Sequence, residues 1–266
     1  MKRALRLAQV GLHLAALLLR PRGRDWARGL LGILDVRLDA DALAIAPGSL
    51  VVANHVSWLD AVVLRALLDA TFVAKVEVRR WPLLGSLLER NGTLFIERRA
   101  CRDLLRTNAE VAALLARGAS VAAFPESTST DGTGVLPFKP ALFEPAVRGR
   151  HPVRALALRY RDGDGRRCAA AAFVGDTTLW QSLWAVAAVR GLVVEVQDRG
   201  EVTAADRKQA ARLAHAAVQS SVCGSASLPA RQEAPALSGS GSGSPAGWSP
   251  SSAGPTWASS TEVSRT

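Results

Sequence analysis

Residues 50–60, LVVANHVSWLD, constrain this chain more than any other stretch. An apolar, β-branched run ends at Asn54, His55 follows at once, and a helical pattern begins with Asp60 in its first turn. This reads as a buried strand that hands its first loop side chains to the carboxyl edge of a sheet, where open α/β sheets bind ligands. Histidine moves protons near neutral pH, and a carboxylate beside it fixes its tautomer and supports the imidazolium. His55 and Asp60 are therefore the candidate chemical centre. The stretch Ser57-x-x-Asp60 also has the form of a capping box, with Ser57 as N-cap and Asp60 at N3. The two readings are compatible, because a cap at this point would fix both side chains.

The pattern around this stretch is α/β. Strand-like runs are expected at 34–38, 43–45, 50–53, 71–75, 93–96, 119–124, 153–158, 169–174 and 192–198. Helical spacing is expected over 57–69, 82–89, 102–117, 138–147, 178–189 and 204–220, with leucine and alanine inward and arginine outward. Alternation of this kind implies a mixed, largely parallel central sheet covered by helices in a single domain. At 266 residues and 48% hydrophobic content, the chain can bury one substantial core with appendages.

The appendages lie at the ends. Residues 4–19 are mainly apolar but short for a membrane crossing, and Arg6, Gln9 and His13 interrupt them. Arg20-Pro21-Arg22 follows instead of a small-residue cleavage site, and a second apolar patch runs from Trp26 to Leu34. Seven basic residues against Asp25 give residues 1–28 a net charge of +6. Apolar stretches bracketed by arginine describe two short helices on the cytoplasmic face of a membrane, with one tilted crossing helix as the alternative. At the other end, residues 223–266 turn to Ser, Gly, Ala and Pro and are expected to be disordered. The expected division is thus a membrane-associating segment 1–34, a catalytic domain 35–222 and a tail 223–266.

Charge and cysteine usage exclude other classes. The net charge of +10 suits nucleic acid as well as membrane, yet aromatic content is 5% and no zinc-finger or RRM-type spacing occurs. Cys101, Cys168 and Cys223 show neither metal spacing nor a disulfide framework, which fits a reducing compartment.

Three further segments deliver polar groups at the ends of strands. They are Thr71–Lys75 (TFVAK), Gly92–Arg99 (GTLFIERR) and Val121–Gly132 (VAAFPESTSTDG). Each alone is an ordinary surface turn. Together they describe a basic, hydroxyl-rich pocket around His55, suited to a polar or anionic head group.

The ordered series NHVSWLD, FVAK, GTLFIERR and FPEST resembles the glycerolipid acyltransferases, the PlsC-like family of 1-acylglycerol-3-phosphate and lysophospholipid acyltransferases. The resemblance spans roughly residues 36–196. It implies that His55 is the general base for an acceptor hydroxyl and that Asp60 orients it. It also implies that the acceptor oxygen attacks the thioester of acyl-CoA or acyl carrier protein directly. No prosthetic group or metal is called for, and G-x-S-x-G is absent. By the same resemblance Lys75, Arg98, Glu126, Ser127 and Thr128 would line the acceptor site, the cations facing its phosphate and Glu126 the glycerol hydroxyls or a supporting hydrogen bond. An oxyanion contact would come from amides near His55 or in the 126–128 loop.

Two positions depart from the family's F-P-E-G-T-R-S pattern: Ser127 stands for glycine and Ser129 for arginine. A glycine that serves a positive φ is not freely replaced, and serine is no substitute for a bidentate phosphate partner. The expected reaction is acyl transfer to 1-acylglycerol 3-phosphate, giving phosphatidate, with a lyso-ornithine lipid or other lysolipid as rival acceptor. Two rivals of other classes are a hydrolase that uses His55 with water and a silent lipid-binding protein on the same fold. Outside the centre, Trp58 and Trp81 read as core or interfacial anchors, Trp180 and Trp184 as sheet-packing residues, and His215 as solvent-facing.

Overall fold

The structure is a computed structural model that describes residues 2–19, 23–81, 84–90, 92–96 and 101–224. Its centre is a seven-stranded sheet of β1 (Val36–Ala40), β2 (Leu50–Ala53), β3 (Ala70–Lys75), β4 (Leu94–Ile96), β5 (Ser120–Ala123), β6 (Val153–Arg161) and β7 (Leu192–Glu201), in the order β1-β7-β6-β2-β5-β3-β4. All neighbours are parallel except β6 and β7. The strand β2 lies between β5 and β6, so the first strand laid down after β1 becomes the middle of the sheet. Its carboxyl end opens between neighbours reached by different crossovers, the place where such sheets form crevices.

The helices are α1 (Lys2–Leu19), α2 (Gly23–Ile33), α3 (Leu59–Leu67), α4 (Leu84–Arg90), α5 (Cys101–Ala116), α6 (Glu144–Gly149), α7 (Leu179–Ala188) and α8 (Arg207–Cys223). They cover both faces of the sheet, and the period-2 alternation of the strands sorts side chains between them. On β2, Val51 and Ala53 join one core with Trp26, Leu30 and Leu34 of the α2 region and Leu59 and Val63 of α3. Leu50 and Val52 join the other, with Val111 and Leu115 of α5 and Ala210 and Ala214 of α8. On β6, Leu156, Leu158 and Tyr160 share the α3 side, while Val153, Ala155 and Ala157 face α8. Local chemistry starts the last two helices. Thr178 and Gln181 form a reciprocal capping box on α7, and the Asp206 carboxylate accepts from the amides of Lys208 and Gln209 at α8.

Several sequence expectations are corrected. Residues 43–45 are coil, because the chain there only crosses from β1 to β2. Residues 169–174 are not a strand: a short 3-10 turn, Ala169–Ala171, fills the position, since β7 already holds that edge of β6. Helix α8 runs through Cys223, one residue into the expected tail, and residues 225–266 lie outside those described. The His215 ring is not solvent-facing. Its Nε2 lies 3.0 Å from the Val135 carbonyl and its ring meets Phe138 edge-on. At the amino end, α2 packs on α3 and buries Trp26, Ala27, Leu30 and Leu31 in the main core. No helix among the described residues is long and apolar enough to cross a membrane.

Candidate active site

The site begins where β2 ends. Asn54 is fully buried, and its side chain replaces backbone pairing with β6: Nδ2 donates to the Leu158 carbonyl at 3.0 Å and the Leu158 amide donates to Oδ1 at 2.7 Å. The amide side chain continues the ladder for one more rung, so the main chain is released from the sheet one residue later, at His55. The backbone of that turn is then held on every side. The His55 amide donates to Glu126 Oε1 at 2.6 Å and the Thr130 amide to the His55 carbonyl at 2.8 Å. The Phe173 amide donates to the Val56 carbonyl at 2.8 Å.

Asp60, in the first turn of α3, completes the loop. Its Oδ2 accepts from the amides of Val56 at 2.7 Å and Ser57 at 2.9 Å and lies 2.8 Å from His55 Nδ1. Its Oδ1 accepts from the Tyr160 hydroxyl. The carboxylate has no solvent exposure, and four donors compensate its burial. The capping box is realised only in part. Asp60 reaches back to the Ser57 amide, but Ser57 Oγ accepts from Leu59, and the residue preceding the helix is Trp58. With Nδ1 facing a carboxylate, the imidazole carries its proton there and presents Nε2 as the basic atom. The ring stacks on Phe124 with centroids 4.3 Å apart, leaving a quarter of the side chain exposed.

Tyr160 was not found by sequence reasoning. It is the single tyrosine of the chain, on the same face of β6 as Leu156 and Leu158, and it is buried. Burial first, and the Asp60 carboxylate second, hold its hydroxyl well above the usual value of 10.0, so it stays a donor. The signal was available only as a tyrosine in register with apolar residues of a strand.

Glu126 is 3% exposed and its second oxygen accepts from the Leu136 amide at 2.7 Å. Burial raises its pKa, against the lowering effect of the two amide bonds. The residue is therefore a backbone clamp between the His55 turn and the 135–136 segment, each oxygen accepting one amide, which is the supporting hydrogen bond the resemblance allowed for. Ser127, next to it, has φ 71°, the left-handed region where the family pattern carries glycine. Ser129 Oγ donates to the Phe173 carbonyl.

Beside His55 lies a cavity of about 450 Å³. Its walls are largely apolar, with Trp58, Val62, Phe72, Trp81 and Phe173 among them, and its rim carries His55, Lys75 and Ser127–Ser129. Trp58 and Trp81 both line the cavity, and Trp58 also packs against the main core, as expected of it. The Trp58 indole is held by Ser182 Oγ at 3.0 Å, and Trp81 meets Phe173 edge-on. Lys75 reaches this rim because β3 ends there. Arg98 lies outside the described residues. The Arg65 guanidinium, 8% exposed, sits 5.0 Å over the Phe72 ring within the cavity wall, and burial lowers its pKa.

A histidine–carboxylate pair with a free Nε2, set at the mouth of an apolar cavity, suits proton removal from a hydroxyl of an amphiphile. Comparison with known proteins points to acyl transfer. The family described as Acyltransferase matches residues 38–159. A 1-acyl-sn-glycerol-3-phosphate acyltransferase of Neisseria meningitidis serogroup B is 40% identical over 174 residues, covering 65% of this chain and 68% of that protein. A lyso-ornithine lipid O-acyltransferase of Pseudomonas aeruginosa is 37% identical over 205 residues, covering 76% and 79%. The crystal structure of the PlsC 1-acyl-sn-glycerophosphate acyltransferase of Thermotoga maritima shares the fold, with a TM-score of 0.53 at 17% identity over 83% of this chain and 96% of that one. With the His55–Asp60 block and the 124–128 block both inside the matched span, this chain belongs to the PlsC-like acyltransferase family and is an O-acyltransferase.

Proposed function

We propose that this enzyme transfers a fatty acyl group from acyl-CoA or acyl carrier protein to the free hydroxyl of 1-acyl-sn-glycerol 3-phosphate, forming phosphatidate. The observation that carries the reading is the His55 ring, fixed through Nδ1 by a buried, four-donor Asp60 and set at the mouth of the apolar cavity. Nε2 takes the proton of the acceptor hydroxyl as its oxygen bonds to the thioester carbonyl carbon. The C–S bond then breaks, and the imidazolium returns the proton to the departing thiolate. General-base assistance of this kind contributes about 10²–10⁴ in rate, and alignment of acceptor and thioester supplies much of the remainder. The amides of His55, Val56 and Ser57 are already taken, and that of Ser127 donates to the Phe124 carbonyl at 3.2 Å, so the oxyanion donor falls to Thr128 and Ser129 on the cavity rim. Lys75 and Arg98 act on the acceptor's phosphate, and Thr128 on its polar head.

An amphiphilic substrate suits an enzyme that works at a membrane, and we assign this one to the cytoplasmic face of the inner membrane. Segment 1–34 is the associating element: Leu5 and Leu12, seven positions apart on α1, are 61% and 73% exposed. The catalytic domain, 35–222, shares its core with α2, so deletion of residues 1–34 would strip Trp26 and Leu30 from that core. Point changes at Leu5 and Leu12 are the cleaner probe.

A lyso-ornithine lipid is the second reading. Ser129, where the family pattern has arginine, donates to the Phe173 carbonyl and offers no cation to a phosphate. Labelled acyl transfer by purified wild type and His55→Ala, with lysophosphatidate and lyso-ornithine lipid offered in parallel, tests both. Transfer to lysophosphatidate that collapses in the variant is expected. Transfer to the ornithine lipid alone overturns the acceptor, and full activity of the variant overturns His55 as base.

A further inference from the structure

Helix α7 carries two tryptophans that its position in the fold does not require. Trp180 and Trp184, one turn apart, are 61% and 43% exposed, and their rings lean together with centroids 6.3 Å apart. The sequence expectation that they pack on the sheet is overturned: the sheet-facing side of α7 is Ser182, Val186 and Ala187, all buried. Two neighbouring indoles left in water form an exposed apolar patch, the kind of surface that marks an interaction site.

We propose that Trp180 and Trp184 insert into the interface of an anionic bilayer, making α7 a membrane contact separate in sequence from the amino-terminal helices. Three observations select a bilayer over a protein surface. First, charge: α7 itself carries no acidic residue, exposed Asp176 precedes it and exposed Arg190 follows it, and the whole chain carries +10, complementary to anionic lipid head groups. Second, chemistry: tryptophan is the side chain of the membrane–water boundary, its apolar body among acyl chains and its N–H toward water. Third, connection: α7 is tied to α1 by Arg6 Nη1, which donates to the carbonyls of Ala187 at 3.2 Å and Val189 at 3.4 Å, and α1 exposes Leu5 and Leu12. On its buried side, Ser182 accepts from the Trp58 indole in the cavity wall. Just before the helix, Phe173 and Gly175 line the cavity, and Val174 between them is 38% exposed. Lipid contact at α7 therefore sets the cavity against the bilayer from which its substrate enters. This inference rests on the lipid-acyltransferase reading above.

The test uses full-length wild type and W180A/W184A with vesicles of phosphatidylethanolamine and phosphatidylglycerol containing brominated phosphatidylcholine, a contact quencher of indole emission. The expected result is that the variant loses most of the lipid-quenchable emission and binds vesicles roughly tenfold more weakly. Transfer to a short-chain acceptor dissolved as monomer should stay within about twofold of wild type, as expected for surface changes. Equal quenchable emission in the two proteins overturns the proposal. So does a wild-type dimer, measured without lipid, that the double substitution dissociates, because the pair would then face a second copy. Absence of transfer by wild type to the dissolved acceptor would count against the acyltransferase reading alone, since quenching is read without turnover.

Discussion

The Tyr160 hydroxyl on β6 donates to Oδ1 of Asp60 on α3, a contact between residues 100 positions apart. It occupies the carboxylate oxygen that His55 does not use, and the His55 ring inherits its placement from that carboxylate. Tyr160 is not among the residues lining the cavity, so it acts on the reaction only through Asp60. A hydrogen bond to a charged group contributes about 1.5–3 kcal/mol. Tyr160→Phe should therefore lower kcat between about tenfold and a hundredfold while KM moves little. Steady-state kinetics decide it, and a change confined to KM would remove Tyr160 from this role.

The same residue provides an alkaline signature. Burial and the Asp60 carboxylate raise its folded-state pKa well above 10.0. A raised folded value means that the stability from this group is complete below the unfolded pKa, near 10.0, and is lost as pH rises toward the folded one. Because the chain has one tyrosine, tyrosinate absorbance reports it alone. Native protein should show none at a pH where the urea-unfolded chain is half ionised. Tyr160→Phe should abolish this group's share of the alkaline fall in stability.

Ser127 occupies a backbone conformation that costs a side chain about 1–2 kcal/mol. Glycine removes that cost and gives back part of it through greater freedom in the unfolded chain, a net gain of about 0.5–1 kcal/mol. Ser127→Gly should raise Tm by roughly 1–4 °C in a calorimetric scan. Unchanged transfer would assign the position to backbone geometry, whereas lost transfer at higher Tm would assign its hydroxyl to the substrate.

Glu126 clamps the His55 and Leu136 amides with its two oxygens. Glutamine keeps one acceptor and turns an NH₂ toward the other amide, leaving a buried N–H unpaired at a cost of about 1–3 kcal/mol. Glu126→Gln should lower the urea midpoint and kcat together, because the clamp holds the turn that carries His55. A variant with normal kcat would show that the Asp60 contacts alone suffice.

Much of this architecture can be read from the chain in advance. Buried strands such as Leu50–Ala53 and amphipathic helices such as α5 announce themselves because side-chain period follows backbone geometry within a few residues. The pairing of His55 with Asp60 is legible for the same reason, since one loop and one helical turn separate them. Where sequence reading failed, the partner was distant. Ala169–Ala171 has the composition of a strand, but β7 takes the edge of β6 that a strand there would need. His215 lies on a helix whose pattern is only weakly amphipathic, and the loop at Val135 closes over it.

By itself, the sequence determined the α/β class, the principal strands and helices, the turn that presents His55, and the basic, apolar character of the amino terminus, all of them local properties. Only the tertiary structure decided that Asn54 completes the β2–β6 ladder, that Tyr160 supports Asp60, that Glu126 clamps the His55 and Leu136 amides, and that Trp180 and Trp184 face outward. These are matters of which donor meets which acceptor, and which side of a helix the sheet covers. Strand order and crossovers settle them between residues tens of positions apart, where no local period carries information.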